Sequence, residues 1–323
     1  MLDESDYKVN KTFNLNKLTI NEQKEYYEKL RKECLSLKNN QFHFGQSIIK
    51  KVYPWLRNYQ IEIQGEENIP CDSNVLFVAN HSTSHDIFTA YELFSMLNRK
   101  GSVMVATDCL NPFTTEIFKA SNATLLDRRI KSERSNSILL LANKLLSGKD
   151  GLIFGEGTWN LHPTLPMHNI QNGATKISII TQVPIIPVII EYIEKNELIT
   201  SDARLYDKCI IRFGKPIIVD PNNTLPAQSQ IIKTAMVDTR LKIWKDYNIQ
   251  KESLENIDPI MYINHTYAKK FKALGFTYDS QKEQEYLLFL ENEPHENEYT
   301  LNSEANLIPG ITEKKSKLRK ILK

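Results

Sequence analysis

The chain has 323 residues, which suffices for one large α/β domain with additions or for two domains. Hydrophobic residues make up 41% of the chain and charged residues 25%, as in ordinary soluble globular proteins. The net charge of +2 is too small to indicate a nucleic-acid partner, and we expect none.

Three features of the sequence argue against membrane insertion or secretion. The most apolar run, ISIITQVPIIPVIIEYI, is interrupted by Gln182, Pro184 and Pro187, so it predicts a core strand and not a membrane-spanning helix. The first residues are acidic and lack the apolar segment of a signal peptide. The four cysteines form no CxxC pair, which is typical of a reduced, cytosolic chain.

Two helices are predicted in the N-terminal region, residues 1–60. The first, LTINEQKEYYEKLRKECLSLKNN, begins with a capping box of Thr19 and Glu22. The second lies within FHFGQSIIKKVYPWLRNYQ and carries apolar residues at helical spacing, accompanied by lysines. Its apolar stripe fits either packing on the core or an interfacial position on a membrane, and the segment from Phe42 to Leu56 is a candidate for membrane contact.

Short apolar runs then alternate with amphipathic segments, which predicts an α/β domain with a largely parallel central sheet flanked by helices. We place this domain at residues 61–247, including a final amphipathic helix in SQIIKTAMVDTRLKIWKDY. The predicted strands lie in NVLFVAN, SVMVAT, ATLLD, GLIFG, PIIPVII and KCIIRFG, and the helices between them in HDIFTAYELFSMLN, PFTTEIFKA, SERSNSILLLANKLLSG and GATKISIIT.

Residues 248–323 form a C-terminal extension that is more polar and less regular. Its last residues, ITEKKSKLRKILK, are basic with interleaved apolar residues. They fit a solvated end or an anchor on anionic lipid.

Polar residues gather where three of the predicted strands end. Because ligands of parallel α/β sheets bind at the carboxyl ends of the strands, we expect these residues to form one site. The three clusters are Asn80-His81, Asp127-Arg128-Arg129 and Glu156-Gly157-Thr158.

His81 is a candidate general base, since histidine is the side chain best suited to take a proton near neutral pH. Asp86, five positions later and in the expected first turn of a helix, is placed to turn back and orient the ring. This is the logic of a Ser-His-Asp triad in which a substrate hydroxyl replaces the serine. The alternative is that Ser84 or Asp86 only caps the helix.

The other two clusters are open to two interpretations as well. The turn around Glu156 brings its backbone close to a ligand, or is simply rich in glycine. The arginines at and after Arg128 suit a phosphate or carboxylate, or form the solvated start of a helix.

Four motifs in the order NHSTSHD, TLLDRR, FGEGTWN and VPIIPV, followed by IRFGKPI, extend over Asn74 to Ile217. Together they resemble the conserved blocks of the glycerophospholipid acyltransferases, the PlsC-like or 1-acylglycerol-3-phosphate acyltransferase type that functions in phospholipid biosynthesis.

The resemblance implies transfer of an acyl chain from acyl-CoA or acyl carrier protein to a hydroxyl of a lysophospholipid-type acceptor. It makes His81 the general base, Asp86 its orienting partner and Arg128 the ligand of the acceptor phosphate, with Pro184 to Val188 on the acyl side. It places Asn80, Glu156, Gly157, Thr158 and Trp159 with Arg128 around the substrate.

The resemblance requires neither a metal nor a redox cofactor. Beside the acyl donor, it implies a lipid or alcohol acceptor and a membrane surface as partners. We therefore expect a cytoplasmic protein, peripheral on the cytoplasmic face of the membrane.

The chain also departs from the family pattern. Trp159 stands where arginine is usual, Asn160 where serine is usual and Gly155 where proline is usual, and the glycine expected to open the second block is missing near Asn122. The absent arginine weakens lysophosphatidate or glycerol 3-phosphate as the acceptor. A lysophospholipid with a head group remains open, as does a non-phosphate alcohol or sugar.

Two readings of another class also remain. His81 and His85 are four residues apart and adjoin Asp86, a pattern that a metal-dependent hydrolase would use. A catalytically degenerate lipid-binding protein is the second, motivated by Trp159. In the acyltransferase reading, His85 is only a spacer between His81 and Asp86.

Overall fold

The computed structural model describes residues 44–57, 59–83, 85–107, 112–128, 130–160, 162, 164–194 and 206–249, with positions 19, 21, 22, 25, 28, 29 and 32. The rest of the first predicted helix and the C-terminal extension after residue 249, with the basic tail, lie outside the described residues. The predicted capping box is confirmed, because Thr19 N–H donates to Glu22 Oε2 over 2.7 Å and Glu22 N–H donates to Thr19 Oγ1 over 3.3 Å.

Seven strands in the described residues form one sheet in the order β1-β7-β6-β2-β5-β3-β4. All neighbouring strands are parallel except β6 and β7, which are antiparallel. The predicted α/β architecture with a largely parallel sheet is therefore confirmed. The strands are β1 Gln60–Gln64, β2 Leu76–Ala79, β3 Gly101–Ala106, β4 Thr124–Leu126, β5 Asp150–Phe154, β6 Ile185–Glu194 and β7 Tyr206–Phe213.

Six α-helices of the described chain cover the two faces of this sheet. Helices α1, α2 and α3 share a core with one face, and α4, α5 and α6 with the other, so the domain has three layers. The helices are α1 Phe44–Leu56, α2 Asp86–Met96, α3 Pro112–Ala120, α4 Lys131–Leu146, α5 Gly173–Thr181 and α6 Leu225–Asp246.

Strand β2 lies in the middle of the sheet and shows why the central strands form. Its side chains alternate between the two cores: Phe77 faces the layer of α1 to α3 and Val78 the layer of α4 to α6, and both are fully buried. Asn80 and His81 directly follow this strand, so the candidate site begins at the carboxyl edge of the sheet centre.

Helix α1, which lies in the predicted N-terminal region, packs against α2 and α3. The approach to α3 is close, since a Cβ atom on Gly45 would lie 2.3 Å from Ser121 Oγ. Gln46 Nε2 donates to the carbonyls of Gly101, at 2.7 Å, and Ser121, at 2.8 Å. Ile49 and Tyr53 are buried, whereas Ile48, Val52, Trp55 and Leu56 are exposed.

Candidate active site

His81 and Asp86 lie in direct contact at the carboxyl end of β2. His81 Nδ1 is 2.7 Å from Asp86 Oδ2, which also accepts the backbone N–H groups of Ser82 and Thr83 over 2.7 and 2.9 Å. The Asp86 side chain is fully buried in the first turn of α2, where the helix dipole favours a carboxylate. With Nδ1 held by the acid, Nε2 is the His81 atom left for a substrate.

The His81 ring is held between two aromatic side chains. Phe154, the last residue of β5, stacks on it with 4.1 Å between ring centroids, and Trp159 lies tilted at 5.3 Å. The carbonyl of His81 also accepts the N–H of Asn160 over 2.6 Å. The loop after β5 therefore fixes the His81 ring and backbone together, and the His81 side chain remains 11% exposed.

Glu156 lies in the same loop but is directed at backbone groups. Its Oε1 accepts the N–H of His81 over 3.1 Å and its Oε2 accepts the N–H of His168 over 2.7 Å. Burial raises the pKa of Glu156 to about 7, against the opposing effect of the His168 N–H and the Arg240 guanidinium. The carboxyl thus joins the loop at His81 to the loop at His168.

Asn80 continues the pairing of β2 with β6 through its side chain. Its Oδ1 accepts the N–H of Ile190 over 2.7 Å, and its Nδ2 donates to the Ile190 carbonyl over 3.0 Å. The amide is fully buried. These bonds hold the strand end from which His81 projects.

Arg128 comes from the loop after β4 and reaches the turn after β5. Its Nη1 donates to the Gly157 carbonyl over 3.0 Å, and its own carbonyl accepts Arg134 Nη1 over 2.6 Å. Arg128 is 8% exposed, and Thr158 and Trp159 beside it are buried as well. The structure thus brings the residues predicted around His81 to one edge of the sheet.

The structure requires glycine at Gly155 and at Gly157 for two different reasons. Gly157 has a φ of +71°, in the left-handed region that favours glycine. A Cβ atom on Gly155 would lie 2.8 Å from both Val78 Cγ1 and Ile170 Cδ1. The core therefore leaves no room for a side chain at Gly155, where the family pattern has proline.

The segment from Pro184 to Val188 lies largely within β6 at the centre of the sheet, with Ile185, Ile186 and Val188 fully buried.

His85 does not join His81 and Asp86 in a ligand set. Its Nδ1 is 3.1 Å from the Tyr53 hydroxyl, and its ring lies edge-on to Tyr59 and Tyr206. Across the described ranges, no group of three or more His, Cys, Asp and Glu side chains is arranged to hold a metal ion. The geometry gives no support to the metal-site reading of these histidines.

Sequence reasoning did not identify several residues that shape the site. Phe154 appeared only as a strand end, and His168 and Tyr53 lie far from His81 in the chain. No spacing links them to His81, because their contacts arise from neighbouring strands and layers. Only the position of Phe154, at the end of the strand before the glycine-rich turn, offered a signal.

The site lies in a segment that matches a known protein family. Residues 60–191 match the model of the family described as Acyltransferase, a segment that runs from β1 into β6 and includes the His81–Asp86 pair. The match identifies this segment as an acyltransferase domain. Residues 60–191 form a domain that belongs to the Acyltransferase family.

A solved structure with similarity to the chain is the 1-acyl-sn-glycerophosphate (LPA) acyltransferase PlsC from Thermotoga maritima. The two share 19% sequence identity with a TM-score of 0.43, and the match covers 72% of this chain and 86% of that one. No curated protein sequence matches the chain.

Proposed function

We propose that this protein transfers an acyl group from a thioester, either acyl-CoA or acyl carrier protein, to a hydroxyl of a lysophospholipid-type acceptor. His81 is the general base of this reaction and Asp86 orients and charge-balances it. The observation that carries the proposal is the 2.7 Å contact between His81 Nδ1 and the buried Asp86 carboxylate at the carboxyl edge of the sheet.

In the proposed reaction, His81 Nε2 accepts the proton of the acceptor hydroxyl while that oxygen attacks the thioester carbonyl carbon. The tetrahedral intermediate then collapses, the carbon–sulfur bond breaks, and the leaving thiolate takes the proton from His81. An ester and a free thiol result. Because the thioester is already activated, this chemistry requires no metal or redox cofactor.

Three groups of contacts support the assignment of these roles. Asp86 receives two backbone N–H groups besides His81, which keeps its carboxylate in place. Phe154 and Trp159 flank the His81 ring and limit its rotation. Glu156 fixes the His81 backbone from the other side. The base is thus preorganised, as proton transfer from a bound hydroxyl requires.

A non-phosphate alcohol or sugar is a second candidate acceptor, and the surroundings of Trp159 favour it. Trp159 packs beside His81 where the family pattern has a phosphate-binding arginine. Arg128, the other expected phosphate ligand, is buried and donates to the Gly157 carbonyl. Of the two positive charges expected to bind a phosphate, one is therefore replaced by Trp159 and the other, on Arg128, is engaged with the protein backbone.

Membrane contact is part of the proposal, through the exposed apolar side of α1. Trp55 is 82% exposed and Leu56 58%, and Lys50 and Lys51 beside them are exposed too. No helix in the described part of the chain is long and apolar enough to cross a bilayer. We therefore propose peripheral binding to an anionic surface, as on the cytoplasmic membrane face.

The acceptor is tested by incubating the full chain with isotope-labelled acyl-CoA and a panel of acceptors, followed by mass spectrometry of the products. The panel contains lysophosphatidate, lysophospholipids with larger head groups, and uncharged alcohols and sugars. We expect a labelled ester with a lysophospholipid that bears a head group, and little with lysophosphatidate. Esters formed only with uncharged alcohols would establish the second candidate instead. Absence of every ester, with both acyl-CoA and acyl carrier protein as donors, would contradict the proposed function.

A further inference from the structure

A chain of hydrogen-bonded side chains lies behind the catalytic loop, residues 81–86. It begins at His85 Nδ1, which is 3.1 Å from the Tyr53 hydroxyl, and continues 2.7 Å to the Tyr59 hydroxyl. From there it passes over 3.2 Å to Thr89 Oγ1 and over 2.9 Å to the Tyr192 hydroxyl. The chain joins α1, the residue before β1, α2 and β6 at one point next to the site.

The His85 ring is enclosed by aromatic rings at this point. Its centroid is 6.0 Å from that of Tyr59, 5.7 Å from that of Tyr206 and 6.4 Å from that of Tyr192. Burial lowers the pKa of His85 to about 4, although the neighbouring Asp86 opposes this shift. The ring is therefore neutral near pH 7 and has one donor and one acceptor nitrogen, as the bond to Tyr53 requires.

The support for Tyr53 does not depend on the catalytic loop. Helix α1 is held on α3 and β3 by the close approach at Gly45 and by the two bonds of Gln46 to backbone carbonyls. Tyr53 is buried and stacks on Phe88 with 5.2 Å between centroids. Its hydroxyl is thus presented to His85 from a fixed position.

The loop is tied to this aromatic cluster at two residues on the path from His81 to Asp86. His85 bonds to Tyr53, and Thr83 Oγ1 accepts the Tyr206 hydroxyl over 3.4 Å. Thr83 also donates its N–H to Asp86 Oδ2, and His85 is the residue directly before Asp86. A shift of His85 would therefore move the carboxylate that holds His81.

We propose that His85 is a positioning residue for the His81–Asp86 pair, and that its bond to Tyr53 makes helix α1 part of the catalytic architecture. From the sequence, His85 is interpreted either as a spacer between His81 and Asp86 or as a metal ligand, and neither interpretation includes this role. This inference rests on the proposed roles of His81 and Asp86. It predicts a loss of turnover when the bond is removed, without a loss of substrate binding.

The test compares steady-state kinetics of Tyr53→Phe, His85→Leu, the double variant and His85→Asn in the full chain, with acyl-CoA and the best acceptor of the panel. Tyr53→Phe removes one hydroxyl and leaves the stacked ring. We expect Tyr53→Phe and His85→Leu each to lower kcat about tenfold with KM unchanged, because a displacement of well under 1 Å in a catalytic group already costs turnover. Tyr53→Phe also removes the bond to Tyr59, but both changes remove the His85–Tyr53 bond, so the double variant should fall well short of full additivity. Asparagine offers a polar atom near the position of Nδ1, so His85→Asn should recover most of kcat.

The matched control is Tyr91→Phe. Tyr91 is a buried tyrosine of the same helix as Thr89, but its ring stacks on Phe118, away from His85. It should keep wild-type kcat. Melting temperatures separate positioning from unfolding, and if His85→Leu does not fold, Tyr53→Phe carries the test alone.

The outcomes distinguish the inference from the proposed function. Wild-type kcat in Tyr53→Phe, together with an inactive His81→Ala, would overturn the role of His85 and leave the general base intact. Full additivity in the double variant, or a rise in KM at constant kcat, would also overturn it. A His81→Ala variant with the wild-type rate would refute the proposed function itself, and the positioning role with it.

Discussion

The Glu156 carboxyl connects two loops by accepting one backbone N–H from each. One donor is His81 and the other His168, and Glu156 is almost fully buried between them. The bonds favour the ionised carboxyl but burial outweighs them, so the pKa rises from 4.5 to about 7. We had expected this side chain to line the acceptor site, and its contacts instead point to a role in fixing the base.

This pKa predicts a pH-dependent contribution of Glu156 to stability. The unfolded chain releases the proton near pH 4.5 and the folded chain only near pH 7, so the stabilising effect is complete below pH 4.5 and is lost as the pH rises to about 7. The full loss corresponds to about 3 kcal/mol. Glu156→Gln cannot titrate, so the free energy of unfolding of the wild type relative to this variant should decrease between pH 5 and pH 8.

Urea unfolding at four pH values in that range measures the difference. His85 and His168 also make stability pH-dependent in the lower part of this range, because the pKa of each is about 4 in the folded chain and 6.5 in the unfolded chain. Both histidines are present in both proteins, so their effect cancels in the difference. Glu66→Gln, at an exposed position, is the control for the change from glutamate to glutamine. If the free energy of unfolding of the wild type differs from that of Glu156→Gln by the same amount at pH 5 and at pH 8, the prediction is contradicted.

The residues most accessible to sequence reasoning were those whose partner is nearby in the chain. His81 and Asp86 are five positions apart, and the start of α2 between them forces the chain to turn back. Tyr53 and His85 are 32 positions apart, and their contact depends on how α1 packs on α2. Such contacts follow from the assembly of the layers, which one sequence does not specify.

At the scale of single elements, α1 has two faces with different surroundings. Ile49 and Tyr53 face the core, whereas Trp55 and Leu56 at the end of the helix face away from it. The two interpretations of this helix were core packing and membrane contact. One face of the helix packs on the core. The other face exposes apolar side chains, and for this face we propose membrane contact.

Replacement of Trp55 and Leu56 by alanine should weaken membrane binding. Each buries apolar surface on insertion, and their loss together should reduce partitioning into vesicles by about tenfold or more. Co-sedimentation with vesicles of phosphatidylglycerol and phosphatidylcholine measures this. The stability of the fold should not change, since both side chains are exposed.

Leu241→Ala is the matched control, because Leu241 is an exposed apolar residue on α6 and lies on the other face of the sheet. It should sediment like the wild type. Undiminished sedimentation of the Trp55 and Leu56 double variant would show that α1 is not the lipid contact.

The predicted elements correspond well to those observed, and some boundaries agree fully. Helices α3 and α5 have the predicted limits, because proline and glycine mark their starts. Helix α6 begins four residues earlier than predicted, at Leu225 instead of Ser229. Thr224 caps the start of the helix by accepting the N–H of Ala227, and Pro226 lies in the first turn. Threonine followed by proline is typical of a helix start, but the prediction followed the apolar pattern, which begins later.

For the whole molecule, the position of β2 explains how one site gathers distant residues. Strand β2 lies between β6 and β5, so His81 leaves the sheet beside the loop that carries Glu156 and beside Ile190 of β6. Arg128 arrives from β4 at the sheet edge and reaches the same turn. The carboxyl ends of parallel strands place these three loops on one side.

The alternation of apolar runs and helices was enough to predict the parallel sheet and the edge that holds the site. The order of the strands was not predictable, since every strand pair in this sheet except β6 with β7 and β3 with β4 joins segments separated by at least one other strand. The antiparallel pairing of β6 and β7 was not anticipated either, because two buried strands of similar composition carry no signal of direction.

The central claim, that His81 takes the proton of an acceptor hydroxyl, is tested most directly by the rate of acceptor-dependent thiol release from acyl-CoA in His81→Ala. His162→Ala serves as the control, since His162 Nδ1 accepts backbone N–H groups within its own loop. Circular dichroism should show an intact fold in both variants. We predict that His81→Ala lowers the rate by about a thousandfold while His162→Ala retains most of it. A folded His81→Ala variant with the wild-type rate would contradict the account.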